Sequence, residues 1–214
     1  MKKGLFITFE GIDGSGKTTQ VNEFIRRLEI ASIPFLLFRE PGGTEIGEKV
    51  RKILLDKSNT GMLPITELLL YSASRYQLTC QSIIPALESG KVVICDRFYD
   101  STTAYQGYAR CIDLSFIERL NSVATESLVP DLTFILDISL LEREERIGNK
   151  DLDRLEQEDI KFQERVREGF IAIAKKEPER AIIIDGSRSS AEISDEIWGY
   201  FIKIRKGEYN DEIL

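Results

Sequence analysis

The chain of 214 residues contains no histidine. That absence removes the commonest metal-ligating side chain and every mechanism built on an imidazole base. Cysteine is scarce too: Cys80, Cys95 and Cys111 share no C-x-x-C spacing, so neither a disulfide framework nor a zinc site is expected, and they read as buried free thiols of a reducing compartment. Basic charge is in deficit, 29 Lys and Arg against 36 Asp and Glu for a net charge of −7, which argues against a long nucleic-acid footprint. An anionic ligand must therefore be held by locally clustered arginines. No apolar stretch approaches the ~18 residues that a membrane span needs. Met1-Lys2-Lys3 followed by apolar residues has the start of a signal peptide, but Glu10 ends the run too early for one. The expected setting is cytoplasmic, with no membrane and no nucleic-acid partner. Low-complexity segments, internal repeats and linkers are likewise missing, so residues 1–214 read as a single domain.

What is present is a phosphate-binding loop. Gly11-Ile12-Asp13-Gly14-Ser15-Gly16-Lys17-Thr18 fits G-x-x-x-x-G-K-[ST] and directly follows the strand-like run Leu5-Phe6-Ile7-Thr8-Phe9. The glycines let successive backbone N–H groups converge on a polyphosphate, Lys17 adds a mobile charge for the outer phosphates, and the Thr18 hydroxyl opens a helix and offers a ligand to Mg²⁺. The eight residues are thus expected to bind a nucleoside triphosphate.

Strand-like runs at Leu5 to Glu10, Phe35 to Phe38, Val92 to Asp96, Leu132 to Ile138 and Ala181 to Asp185 alternate with stretches of helical length. This pattern predicts an α/β fold, a parallel doubly wound sheet whose ligands gather at the carboxyl ends of its strands. Phe162, Val166, Phe170 and Ile173 recur at helical spacing and are expected in the core. Arg39-Glu40-Pro41-Gly42-Gly43-Thr44 follows the second strand and brings an arginine and a carboxylate toward the cleft. Asp96-Arg97 ends the third, which puts a carboxylate near Mg²⁺ and a guanidinium near the transferred phosphoryl. Arg51, Arg75, Arg97 and Arg110 are placed to form a second anion site if their helices flank the cleft. The charge-dense segment 142–159 reads either as a solvated helix face or as a lid over the phosphates.

Together with the phosphate loop, the motifs Arg39-Glu40-Pro41-Gly42-Gly43, Leu70-Tyr71-Ser72-Ala73-Ser74-Arg75, Asp96-Arg97-Phe98, Ser101-Thr102-Thr103-Ala104-Tyr105-Gln106-Gly107 and Asp153-Arg154-Leu155-Glu156 resemble the bacterial thymidylate kinases, nucleoside-monophosphate kinases of the P-loop NTPase fold. The resemblance extends to about residue 185. It implies a five-stranded parallel sheet wrapped by helices, a lid, usually a homodimer, and transfer of the γ-phosphate of ATP to dTMP with Mg²⁺, giving dTDP and ADP for dTTP biosynthesis. Residue by residue, it implies that Asp13 holds the 3′-hydroxyl of the acceptor sugar and that Arg39, Arg75 and Arg97 hold the acceptor phosphate, with Arg51 lining the same pocket. It places Tyr71 on the thymine ring, where Phe is usual, Thr102 and Gln106 on its polar edge, and Tyr105 against the 2′ carbon. Where some members carry an arginine in the phosphate loop this chain has Gly14, so the resemblance assigns the catalytic arginine to the lid: Arg146 first, or Arg143 or Arg154. Lys17, Arg97 and Asp96 complete the expected catalytic set, and Thr18 with Asp96 the metal ligands.

The composition suits that chemistry. A phosphate oxygen is already largely ionised at pH 7, so attack by a monophosphate needs no general base, and catalysis becomes positioning and charge stabilisation. A deoxynucleoside kinase must instead deprotonate a 5′-hydroxyl, for which Glu40 is the available carboxylate. A GTPase-like switch needs N-K-x-D, and Asn149-Lys150-Asp151-Leu152 puts leucine where that aspartate belongs. The apolar side of Pro64 to Glu88 suits either the protein's own sheet or a second subunit.

Overall fold

The computed structural model describes residues 4–148 and 152–207. Its elements in chain order are β1 (Phe6–Glu10), α1 (Lys17–Ile30), β2 (Phe35–Arg39), α2 (Glu45–Leu55), α3 (Pro64–Leu78), α4 (Ile84–Glu88), β3 (Val92–Asp96), α5 (Tyr99–Thr102), α6 (Leu114–Ala124), β4 (Leu132–Asp137), α7 (Leu140–Ile147), α8 (Ile160–Lys176), β5 (Ala181–Asp185) and α9 (Ser190–Lys206). The strands form one parallel sheet in the order β2-β3-β1-β4-β5. The five expected strands are all present, displaced by no more than a residue at either end.

This order sets the position of the cleft. The chain leaves β1 between β3 and β4 and then crosses outward past β3 to β2, so the connections diverge above the carboxyl end of β1, where an open α/β sheet forms its crevice. Phe9 lies beside Asp96 on one side and Phe134 on the other, and Arg39 beside Asp96. The charged ends of three strands are thereby aligned.

Helices cover both faces of the sheet. On one, Phe24 of α1 and Phe201 of α9 pack edge-on with ring centroids 5.1 Å apart, within a cluster that includes Phe9 and Phe134. On the other, α8 buries Phe162, Val166, Phe170 and Ile173 against Ile12 and Tyr105, as the helical spacing predicts. Gly169 makes that packing possible, since a Cβ there would lie 3.0 Å from the Ala104 Cα. Two helices continue into π-helical turns, α3 over Thr79–Ile83 and α5 over Thr103–Ala109. The second holds Tyr105 and Gln106, and its wider turn is closed by Arg110 N–H donating to Tyr105 O at 3.0 Å. Of the thiols only Cys95 is buried; Cys80 is half-buried and Cys111 exposed, because the latter two lie on helix and loop surfaces outside the sheet.

Candidate active site

A cavity of about 580 Å³ opens at the carboxyl ends of β1, β2 and β3. Along one side runs the phosphate loop, with Gly11, Gly14 and Gly16 at φ +132°, +83° and +94°. Such angles favour glycine and direct backbone N–H groups into a concave nest. At Gly11 a side chain is also excluded by space, its Cβ position lying 2.4 Å from Leu136 O.

Lys17 opens α1 and is buried, its Nζ donating to Gly11 O at 3.0 Å and Ile12 O at 2.9 Å. Burial, and after it the neighbouring Arg97, pull its ammonium down to about 8. A cation so placed gains from any anion entering the loop. Thr18 lies exposed at the same helix start and lines the cavity. The Asp96 carboxylate lines it too, and its charge bears on both Lys17 and Arg97. No cluster of three or more His, Cys, Asp or Glu suited to a metal occurs among the described residues. Mg²⁺ needs none, because it is commonly held by one or two protein oxygens together with phosphate and water.

Arg97 takes φ +69°, a conformation rarely adopted by a residue with a side chain. Contacts on every side impose it. Its N–H donates to Phe9 O at 3.0 Å, Nη1 to Gly11 O at 2.9 Å and to Ser101 Oγ at 3.0 Å, and Nη2 to Asp13 Oδ1 at 2.6 Å. The guanidinium carbon lies 5.4 Å from the centre of the Tyr105 ring, and the Tyr105 hydroxyl is 3.4 Å from Asp13 Oδ2.

Arg39 and Arg51 also line the cavity. Arg51 donates to Pro41 O at 2.8 Å, and burial followed by repulsion from Arg39 lowers the pKa of its guanidinium. Arg39, Arg51 and Arg97 thus put three guanidiniums on one cavity with the phosphate loop, an arrangement suited to a second anion. Tyr71, Thr102 and Gln106 line the adjoining part. Thr102 Oγ1 is buried and has no hydrogen-bond partner among the described residues.

Four of the expected arginines are elsewhere. Arg75 is 1% exposed, its Nε 2.7 Å from Glu40 Oε2 and its Nη2 3.2 Å from Phe98 O. It fastens the Glu40-Pro41 turn to β3 from behind and is not on the cavity wall, so the structure does not support its expected place on an acceptor phosphate. Arg110 stacks over Phe162 and pairs with Glu67 and Glu158, which takes it out of the expected anion site. Arg143 is buried, with Nη2 3.3 Å from Glu156 O, and Arg154 pairs with Glu67 at 2.6 Å while donating to Leu54 O. Neither reaches the cavity wall. Arg146 does, donating to Gly186 O at 2.9 Å and to Gly14 O at 3.5 Å.

The charge-dense segment divides accordingly. Its first part is α7, capped reciprocally by Ser139 and Glu142, which lays Ile147 and Arg143 3.3 and 3.5 Å from the Cβ position of Gly14. Glu144 and Glu145 face solvent. Asp153 then accepts from Leu155 N–H and Glu156 N–H, both at 2.9 Å, and lines the cavity. Residues 149–151, with most of the N-K-x-D-like run, lie outside the described residues.

Sequence reading missed two carboxylates. Glu10, fully buried at the end of β1, accepts from Phe98 N–H at 2.7 Å and Ser101 Oγ–H at 2.6 Å, holding the chain on either side of Arg97. Glu67 of α3, also buried, meets Gln106, Arg110 and Arg154. An acidic residue ending a strand was visible; its partners, some ninety residues away, were not.

The sequence profile of the family described as thymidylate kinase matches residues 9–197. The chain belongs to the thymidylate kinase family. It is 50% identical to a thymidylate kinase from Caldanaerobacter subterraneus subsp. tengcongensis, over 86% of this chain and 88% of that one, and 43% identical to one from Pelobacter propionicus, over 99% and 100%. Among solved structures, thymidylate kinase from Ehrlichia chaffeensis superposes with a TM-score of 0.76 at 39% identity, covering 93% of this chain and 98% of that one. The fold is the P-loop NTPase fold that the phosphate loop predicts, and the mutual coverage leaves little of either chain unmatched.

Proposed function

We infer that this chain is a kinase that transfers the γ-phosphoryl group of ATP to dTMP, giving ADP and dTDP for dTTP biosynthesis. The observation that carries the reading is the cavity itself, which one phosphate loop with its lysine lines together with three guanidiniums, from Arg39, Arg51 and Arg97, the last bonded to the loop at Gly11 and Asp13. One cavity so lined suits two phosphate groups brought together, as direct transfer between phosphates requires.

The loop N–H groups and Lys17 bind the donor phosphates, and Arg39, Arg51 and Arg97 hold the acceptor monophosphate in line. Asp13, fixed by Arg97, takes the 3′-hydroxyl. Tyr71 stacks on the base, Thr102 and Gln106 meet its polar edge, and Tyr105 crowds the 2′ carbon. Arg146 supplies positive charge to the transferring group from the lid, where Gly14 leaves the phosphate loop without an arginine. Thr18 and Asp96 would hold Mg²⁺, which would neutralise part of the negative charge of the donor phosphates. The deoxynucleoside kinase alternative keeps Glu40 as its base, since that carboxylate lines the cavity with Oε2 paired to Arg75 at 2.7 Å and Oε1 unpaired among the described residues; it is weaker because the family matched is that of the thymidylate kinases. For the GTPase-like switch no guanine-reading aspartate is available at Leu152.

We read residues 1–214 as one domain acting in the cytoplasm; no helix of the described residues is long and apolar enough to cross a membrane. Ile65, Leu69 and Tyr76, each nearly half exposed on one face of α3, suit a homodimer contact, which size-exclusion chromatography with light scattering on wild type and Leu69→Glu would test.

The deciding assay is ADP release with dTMP, dUMP, dCMP, UMP and thymidine. We expect dTMP to lead, dUMP to follow as a poor substrate since one methyl is worth only about 1–3 kcal/mol, and dCMP, UMP and thymidine to be rejected. Equal use of dCMP and dTMP would replace the reading by a broader pyrimidine kinase, and use of thymidine by a nucleoside kinase.

A further inference from the structure

Behind the base side of the cavity, Glu67 is 1% exposed yet collects three partners. Arg154 Nη2 lies 2.6 Å from its Oε2, Arg110 reaches both of its oxygens at 3.3 Å, and Gln106 Nε2 donates to its Oε1 at 2.9 Å. The last contact determines an orientation. A carboxylate accepts and does not donate, so the carboxamide of Gln106 must turn its N–H₂ toward Glu67. Its carbonyl Oε1 is then on the other side of the planar amide, with no protein partner among the described residues, in a side chain that lines the cavity. Four residues earlier, the buried Thr102 hydroxyl likewise has no partner among the described residues.

A fixed carbonyl acceptor reads one hydrogen-bond pattern. A pyrimidine-2,4-dione such as thymine or uracil carries N3–H, a donor that Oε1 can receive. A 4-aminopyrimidin-2-one such as cytosine carries a lone pair at N3, which faces the same oxygen with both acceptors unpaired. Were the Gln106 amide free to rotate, it would present N–H₂ to cytosine as readily as C=O to thymine. The selectivity therefore depends on the residue that prevents rotation.

We propose that Glu67 is a positioning residue that locks the Gln106 carboxamide with its carbonyl toward the acceptor base, restricting this site to pyrimidines bearing N3–H. The proposal rests on the dTMP-kinase reading above. Arg110 and Arg154 balance the buried carboxylate, and both also tie it to the segment that follows α7, since Arg110 pairs in addition with Glu158 at 2.5 Å. Glu67 touches no substrate and acts only through Gln106.

The test compares wild type, Glu67→Gln and Glu67→Asp. Glutamine preserves shape but can donate as well as accept, so it lets the Gln106 amide reverse. Aspartate preserves charge but withdraws the acceptor by one methylene. Circular dichroism melts identify which variants fold, and two measurements follow: kcat and KM with dTMP and dCMP, and calorimetric Kd for both nucleotides without ATP. The expected result in each folded variant is a fall of at least tenfold in the dTMP-to-dCMP ratio of kcat/KM and of affinity. The change should sit in KM, with kcat for dTMP within about threefold of wild type. In a Gln106→Leu background, Glu67→Gln should leave the ratio unchanged. Equal losses for the two nucleotides, or a ratio within threefold of wild type, would overturn the positioning role while leaving the dTMP reading intact. A wild type that takes dCMP as well as dTMP would overturn that reading, and this proposal with it.

Discussion

Arg97 and Asp13 meet at 2.6 Å across the floor of the cavity, joining the end of β3 to the middle of the phosphate loop. The pair is only partly exposed, and the Tyr105 ring packs against the guanidinium while its hydroxyl lies near the other carboxylate oxygen. The two expected anion sites are therefore coupled by one ion pair, because the residue proposed for the acceptor phosphate also orients the residue proposed for the acceptor sugar.

Asp13→Asn should lower kcat/KM for dTMP by about 10–100-fold, since hydrogen bonds to charged groups are worth ~1.5–3 kcal/mol. Steady-state kinetics, with KM for ATP as the control, checks this. Tyr105→Ala should in addition raise the use of UMP relative to dTMP, whereas Tyr105→Phe, which keeps the ring, should not. If UMP is rejected as firmly by Tyr105→Ala as by wild type, Tyr105 is not the sugar gate.

Lys17→Met should reduce kcat by ~10²–10³, the usual effect of removing one donor aimed at charge that develops in the transition state. The far-ultraviolet circular dichroism should be unchanged, because Lys17 hydrogen-bonds only carbonyls of its own loop among the described residues. More than a tenth of wild-type turnover in the variant would contradict the donor-phosphate role.

Replacing Arg143, Arg146 and Arg154, the arginines expected in a lid, singly by alanine should separate them. Arg146→Ala should lower kcat by ~10³ with little change in KM for dTMP, as for an arginine acting in the transition state. Arg143 and Arg154 are buried or nearly so and bonded to the protein, so their loss should act first on the melting temperature and only secondarily on kcat. A severe, purely kinetic defect in Arg143→Ala with normal kcat in Arg146→Ala would exchange the assignments.

Glu10 makes stability depend on pH. Burial, with Asp100 nearby, pushes its carboxyl from the ordinary 4.5 up to about 7, against the opposing pull of Arg97. The folded chain therefore holds this proton more tightly than the unfolded one. That contribution favours folding fully below about 4.5 and is lost as pH rises through about 7, at most about 1.4 kcal/mol per pH unit. Urea midpoints from pH 5 to 8 should fall more steeply in wild type than in Glu10→Gln, and identical slopes would show that Glu10 does not titrate there.

The order of elements, the parallel sheet and the phosphate loop were legible in the sequence because each is written locally. Strand runs covered on both faces are continuously apolar, and the loop's glycines and lysine answer to backbone angles and phosphate spacing within eight residues. The motifs beyond the loop carried the family as well. Which arginines reach the cavity was decided only by the tertiary structure. Arg39, Arg51, Arg97 and Arg146 face it, whereas Arg75, Arg110, Arg143 and Arg154 are turned away to Glu40, Glu67, Glu158 and the Glu156 carbonyl. A long guanidinium side chain goes to whatever acceptor the packing of distant elements brings within reach, and a buried carboxylate must be paired. Glu10, Glu67 and the π-helical turn that carries Tyr105 and Gln106 lack a local signature for the same reason: their partners come from elements far away in sequence and are brought together only when the sheet and helices close.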